Sequence, residues 1–175
     1  LTEAYQRKIR EPSPSPEAPS FAAVTCSRMS ASKLYRTIVR VLELRPERFP
    51  RSSSRGRGSR NSLESNFERI FGFDPSTPTE DVAGTIPQAL FLMNSPIITQ
   101  AIRSKGDTML ARLLGSYEDD RLGFDELYLK VHSRRPSSSE WEIFSKYRRS
   151  VPDRGEAFED LLWSLVNSTE FISER

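Results

Sequence analysis

Apolar residues in this chain recur every three to four positions, the period of an α-helix with one buried face. Tyr35, Ile38, Val39 and Leu42 form one such stripe and predict a helix from about Ala31 to Leu44. Ser30 or Ser32 can cap it, and Pro46 and Pro50 stop it. Leu63, Phe67, Ile70 and Phe71 share a face and predict a second helix over Ser62 to Phe71, closed by Gly72. From Thr85 onward the helical pattern is nearly continuous. Thr85 can cap a helix reaching Met93, and Ser95 caps the next, with Pro96 at its first position, where the missing N–H costs nothing. Asp107 begins a helix carrying Met109, Leu110, Leu113 and Leu114. Phe124, Leu127, Tyr128 and Val131 predict a helix from about Asp120 to His132. Ser137 with Glu140, and Asp153 with Glu156, have capping-box spacing ahead of the last two helices. The first of these presents Trp141, Phe144 and Tyr147; the second aligns Phe158, Leu161, Leu162, Leu165 and Val166. No segment sustains the alternation of a strand. The fold class expected is all-α, with five or six short helices around one core.

Between these stripes lie segments that bury nothing. Pro12-Ser13-Pro14-Ser15-Pro16 and Pro19 favour an extended or disordered chain, and Arg51 to Arg60 holds only Ser, Arg and Gly, the composition of a mobile loop. Phe73 to Gly84 is a connection rich in proline and threonine. Composition agrees: of 175 residues, 36% are hydrophobic, 29% are charged and twelve are proline. That is wetter than an average globular chain, yet long enough to bury roughly 70% of its unfolded surface.

Charge divides the chain. Residues 1–60 hold thirteen Lys/Arg and five Asp/Glu, a balance of +8, and residues 61–175 hold thirteen and nineteen, a balance of −6. The expected organisation is therefore a basic, partly disordered arm over 1–60, with one helix at 31–44 and a mobile loop at 51–60, followed by a helical domain over 61–175. The arm can lie across the acidic domain or reach an acidic partner. Cys26 is the only cysteine, so no internal disulfide forms. No apolar run reaches the roughly 18 residues a membrane helix needs, and no signal peptide is visible. The first residue, Leu1, suggests a fragment or a processed chain.

Three strings resemble a known family. They are Ile86-Pro87-Gln88-Ala89-Leu90 followed by Asn94-Ser95-Pro96; Glu126-Leu127-Tyr128-Leu129 followed by Ser133-Arg134-Arg135-Pro136-Ser137 and Glu140; and the continuous run from Ala157 to Phe171, Ala-Phe-Glu-Asp-Leu-Leu-Trp-Ser-Leu-Val-Asn-Ser-Thr-Glu-Phe. In this order and spacing they resemble the C-terminal domain of unknown function of large planctomycete-type proteins, in which it follows cytochrome c-like domains and a companion domain. The resemblance covers about Phe73 to Phe171, with weaker echoes at Tyr5-Gln6-Arg7 and Arg28 to Leu34. It departs at Arg134-Arg135-Pro136, where the family often has Arg-Pro-Pro, and at Arg51–Arg60, which looks like an insertion. The resemblance implies a larger exported parent protein in the periplasm or cell envelope, with cytochrome c-like neighbours. It supplies no catalytic residues to carry over.

The candidate chemistry is sparse. Covalent haem attachment needs Cys-x-x-Cys-His; Cys26 and His132 lie far apart and outside any such motif. Met29, Met93 and Met109 are read as core residues rather than axial ligands, so haem is expected only in partner domains. One His and one Cys do not build a zinc site. A Ser-His-Asp triad has only His132 as base, and His132 closes a predicted helix, where a cation suits the negative end. Paired carboxylates are the remaining enzymatic route: Glu118-Asp119-Asp120 and Glu159-Asp160. They are expected to be solvated charges, the first cluster at a helix start and the second on the polar side of the last helix. The Arg51–Arg60 loop lacks the aromatics that stack on bases. Asn94-Ser95-Pro96 is explained by helix capping, and the sequon Asn167-Ser168-Thr169 lies at a helix end and is discounted. No catalytic, metal or cofactor-binding residue is assigned. The leading expectation is a non-catalytic docking or scaffold domain of the larger exported protein. The alternatives are a carbohydrate-active hydrolase with paired carboxylates and a nucleic-acid binder acting through the basic arm.

Overall fold

The computed structural model describes residues 27–44, 62–72 and 86–174. The prolines at 12–19, Cys26, the loop at 51–60, the connection at 73–84 and Thr85 lie outside the described residues. The fold is all-α, with compact helix packing in the C-terminal half. In chain order the elements are β1 (Ser27–Arg28), α1 (Ala31–Val41), α2 (Ser62–Phe71), α3 (Ile86–Asn94), α4 (Pro96–Ala101), α5 (Met109–Ser116), α6 (Asp120–His132), α7 (Ser138–Ser150), α8 (Arg154–Val166), α9 (Thr169–Ile172) and β2 (Ser173–Glu174). The two strands form a single antiparallel ladder, Ser27 opposite Glu174 and Arg28 opposite Ser173. It ties the segment before α1 to the end of the described chain, and the Met29 N–H donates to Ile172 O at 3.0 Å beside it.

Helix starts follow the side chains able to hold an orphan N–H. Ser30 accepts from Lys33 N, Asp119 from Leu122 N and Ser168 from Phe171 N. Ser137 and Glu140 complete a reciprocal capping box at α7. Three expected starts differ. The helix expected from Asp107 begins at Met109, because Thr108 is the residue whose hydroxyl accepts from Ala111 N, while Asp107 pairs with Arg112. Asp153 caps α8 alone, accepting from Gly155 N at 2.8 Å, with no reciprocal bond from Glu156. Ser95 stands at the N-cap of α4 but makes no side-chain cap bond. Its neighbour Asn94 instead turns back to donate to Leu90 O at 3.0 Å, so neither residue satisfies α4's orphan donors.

One contiguous core runs through the described residues. α8 is its axis: it packs against α5, α6, α7 and α9. Phe124 of α6 and Phe144 of α7 stack at 5.0 Å between centroids, and Phe158 of α8 meets Phe144 edge-on at 5.0 Å. A second aromatic group joins α1, α2 and α3, where Phe67 lies 5.7 Å from Tyr35, 5.1 Å from Phe71 and 5.0 Å from Phe91. Gln88 is buried in α3 and donates to Ile70 O, an end carbonyl of α2, at 2.9 Å. Gly72 follows α2 closely enough that a Cβ there would meet Glu68 O at 2.3 Å.

α1 buries Leu34, Tyr35 and Ile38 in this same core, its C-cap Leu42 joins them, and α1 packs directly on α2. The boundary expected after residue 60 therefore falls between two helices that share one apolar interior. Glu43, just past α1 with φ 51°, accepts from Lys130 of α6 at 2.5 Å and pairs with Arg112 of α5. Those two cations hold its carboxyl below the usual range, Lys130 contributing most.

Candidate functional surface

The two carboxylate clusters come first, because they are the enzymatic option left by the sequence. Asp119 is the α6 cap, and Asp120 is held by Arg154 at 2.6 Å and Arg148 at 3.2 Å. Arg154, at the first position of α8, also donates to Leu114 O at 3.2 Å and Tyr117 O at 2.6 Å, and lies over the Phe158 ring. Asp120 is thus one arm of a bracket that joins the end of α5 to the starts of α6 and α8.

Glu159 departs from the expectation of a solvated charge. Its side chain is only 15% exposed, and it accepts from both Ser104 N and Ser104 Oγ at 2.7 Å, with Arg103 at 3.1 Å. Burial alone would raise its pKa, but the Ser104 donors and Arg103 outweigh that and hold the carboxyl below its usual value. A general acid for glycoside cleavage needs the opposite shift. Ser104 reaches Glu159 because Gly155 has no side chain; a Cβ there would lie 2.4 Å from Ser104 Oγ. Asp160, next along α8, accepts from the Tyr147 hydroxyl.

A second cluster closes the end of α6. Arg134 donates through Nη2 to Glu140 at 2.6 Å and through Nε to Glu170 at 2.6 Å, and lies 5.3 Å over the Tyr128 ring. Arg134 pulls the Glu140 carboxyl down to about 2, helped by the Ser137 N–H and O–H. Burial, seconded by Glu140, pushes the Tyr128 phenol up to about 12. His132 does close α6, its ring tilted against Tyr128 at 5.7 Å, but burial lowers its pKa, so the neutral ring is favoured rather than the helix-end cation expected. The methionines also divide: Met109 is core, Met29 is half-buried beside the Thr37 hydroxyl, and Met93 is exposed. Asn167 of the sequon donates to Trp163 O at 2.8 Å, and Ser168 caps α9. Among the described residues no group of three His, Cys, Asp or Glu side chains gathers as a metal site requires, and no helix is long and apolar enough to cross a membrane.

What the sequence did not single out is a groove of about 580 Å³ between α7 and α8. Ile143, Phe144 and Tyr147 form one wall, Leu161 and Leu165 the other, and Tyr128 lies among the lining. Ile143 is 72% exposed and Tyr147 41%. Ile143 falls off the Trp141–Phe144 stripe, and an isoleucine on the polar side of a helix was the available signal. The acidic groups of the groove, Glu140 and Asp160, are already bonded to Arg134 and Tyr147, and the Ser164 hydroxyl donates to Asp160 O. The arrangement suits an apolar contact better than a polar ligand or a proton transfer.

No protein family, no curated protein and no solved structure matches the chain.

Proposed function

We propose that this chain is a non-catalytic helical module, a docking or scaffold part of a larger exported protein. The observation that carries this reading is the α7–α8 groove, an apolar surface with an isoleucine 72% exposed at its edge. Contiguous exposed apolar surface costs solubility and marks places where chains meet. The acidic side chains that a hydrolase would use are engaged instead in holding helices together: Asp119 caps α6, Asp120 binds Arg154, and Glu159 binds Ser104. The exported setting and the cytochrome c-like neighbours belong to the same proposal and rest on the three strings alone.

The test has two arms. Radical labelling of exposed aromatic side chains is compared between the parent protein at tens of micromolar and this chain at submicromolar concentration. Tyr147 and Trp163 are expected to be labelled less in the parent; equal labelling overturns the docking role. In the second arm the parent carries Asp119→Asn, Asp120→Asn, Glu159→Gln and Asp160→Asn, which keep shape and capping ability. Loss of a turnover by a parent that remains folded overturns the non-catalytic reading.

A further inference from the structure

We propose that the occupant of the α7–α8 face is the same face of a second copy of this chain, with α7 lying antiparallel to its counterpart across a two-fold axis. The inference rests on reading this face as a contact surface, and it names the partner.

The charges around Ile143 carry the argument. Glu142 precedes it, and Lys146 and Arg149 follow within two turns of the same helix. All three are exposed, and none has an ion-pair partner among the described residues. The apolar patch of Ile143 and Tyr147 is therefore bounded by negative charge toward the start of α7 and positive charge toward its end. A copy laid antiparallel and crossing near Phe144 brings the two Ile143 side chains together. It also sets Glu142 of each copy one helical row from Lys146 of the other, with Arg149 within reach. A parallel copy would set like charge against like. The pattern is self-complementary, which is what a closed two-fold contact requires. Leu161 and Trp163, half-buried on α8, widen the patch, so two α7–α8 hairpins meet as a four-helix layer.

Size sets the strength. α7 has thirteen residues. At about 1.5 Å per residue, with α8 about 10 Å beside it, the face covers on the order of 400 Å² per copy. That lies below the roughly 800 Å² per partner of a standard stable interface, so the dimer is weak and transient, with a Kd in the micromolar range or weaker.

Sedimentation equilibrium of the 175-residue chain, from about 5 to about 500 µM, spans that range. The expected result is a reversible monomer–dimer equilibrium that weakens with salt. Ile143→Asp, at a site too exposed to disturb the core, should weaken it more than about tenfold with unchanged helical circular dichroism. Glu142→Lys should weaken it by about three- to tenfold, and Glu142→Lys with Lys146→Glu and Arg149→Glu should restore it. A chain that stays monomeric throughout overturns the proposal, as does a dimer indifferent to Ile143→Asp and Glu142→Lys. Monomer here, with Tyr147 still protected in the parent, would remove the second copy as occupant and leave the docking role standing.

Discussion

Arg154 offers the sharpest test of how this fold is held. Its guanidinium is shared among Asp120 Oδ1 at 2.6 Å, Leu114 O at 3.2 Å and Tyr117 O at 2.6 Å, and its side chain is 27% exposed. Leu114 and Tyr117 are at the end of α5, where carbonyls lack helical partners. Arg154→Ala removes a charged donor from two carbonyls, worth about 1–1.5 kcal/mol each once water replaces part of the loss. The ion pair adds little, about 0.5 kcal/mol, because Asp120 is a third exposed and keeps Arg148. The contact with the Phe158 ring, 5.3 Å away, adds about 0.5 kcal/mol. Against these, removing a cation from the first turn of α8 relieves about 0.5 kcal/mol of helix-dipole cost. The carbonyl bonds decide the sign, and the net loss is about 2.5–3.5 kcal/mol, or a fall in Tm of roughly 5–14 °C for a chain of this size. Arg154→Lys keeps the charge but not the fork, and should recover less than half. Urea unfolding followed by circular dichroism and by tryptophan fluorescence from Trp141 and Trp163 measures both variants. A loss below about 0.5 kcal/mol for Arg154→Ala, or a lysine variant as stable as the parent sequence, would refute the bracket as the joint between α5, α6 and α8.

Three further outcomes are expected. The Glu140 carboxyl titrates near 2 in the folded chain against 4.5 unperturbed. Its contribution is therefore complete above about pH 4.5 and is lost as pH falls toward 2, so Glu140→Gln should flatten the acid limb of a stability–pH curve; an unchanged limb contradicts the Arg134 assignment. Gly155→Ala should destabilise by about 1–2 kcal/mol despite alanine's better helix propensity, because the new Cβ displaces the Ser104 hydroxyl from Glu159; a stabilised variant in thermal unfolding would show that this loop yields freely. Ser137→Ala should cost about 1–2 kcal/mol by opening the capping box at α7, read by chemical denaturation, and Ser137→Asp should recover most of it.

The helices were legible because the forces that place them act over three or four residues. Ser30, Asp119 and Ser137 cap from within their own turn, and the stripes through Tyr35, Phe67, Phe124 and Phe158 need only the helical period to align. Where two local candidates competed, as Asp107 did with Thr108, the residue sequence favoured the acid, and a distant choice, Arg112 turning to Asp107 and Glu43, left the hydroxyl to cap. The candidate surface was not legible. Ile143 on a polar helix face was the one available signal, and nothing local shows that α8 lies beside it and makes a groove.

The sequence by itself determined where most helices run, which faces they bury, and that the fold is all-α. Beyond the local caps, tertiary structure decided what the charges do. Glu43 meets Lys130 across 87 positions, Glu159 meets Ser104 across 55, and Arg154 meets Asp120 across 34. A carboxylate on a helix face reads as solvated until another element brings donors to it, because water and a buried N–H satisfy the same lone pairs. The same holds in reverse for Ile143, whose exposure is a fact of which helix packs on which.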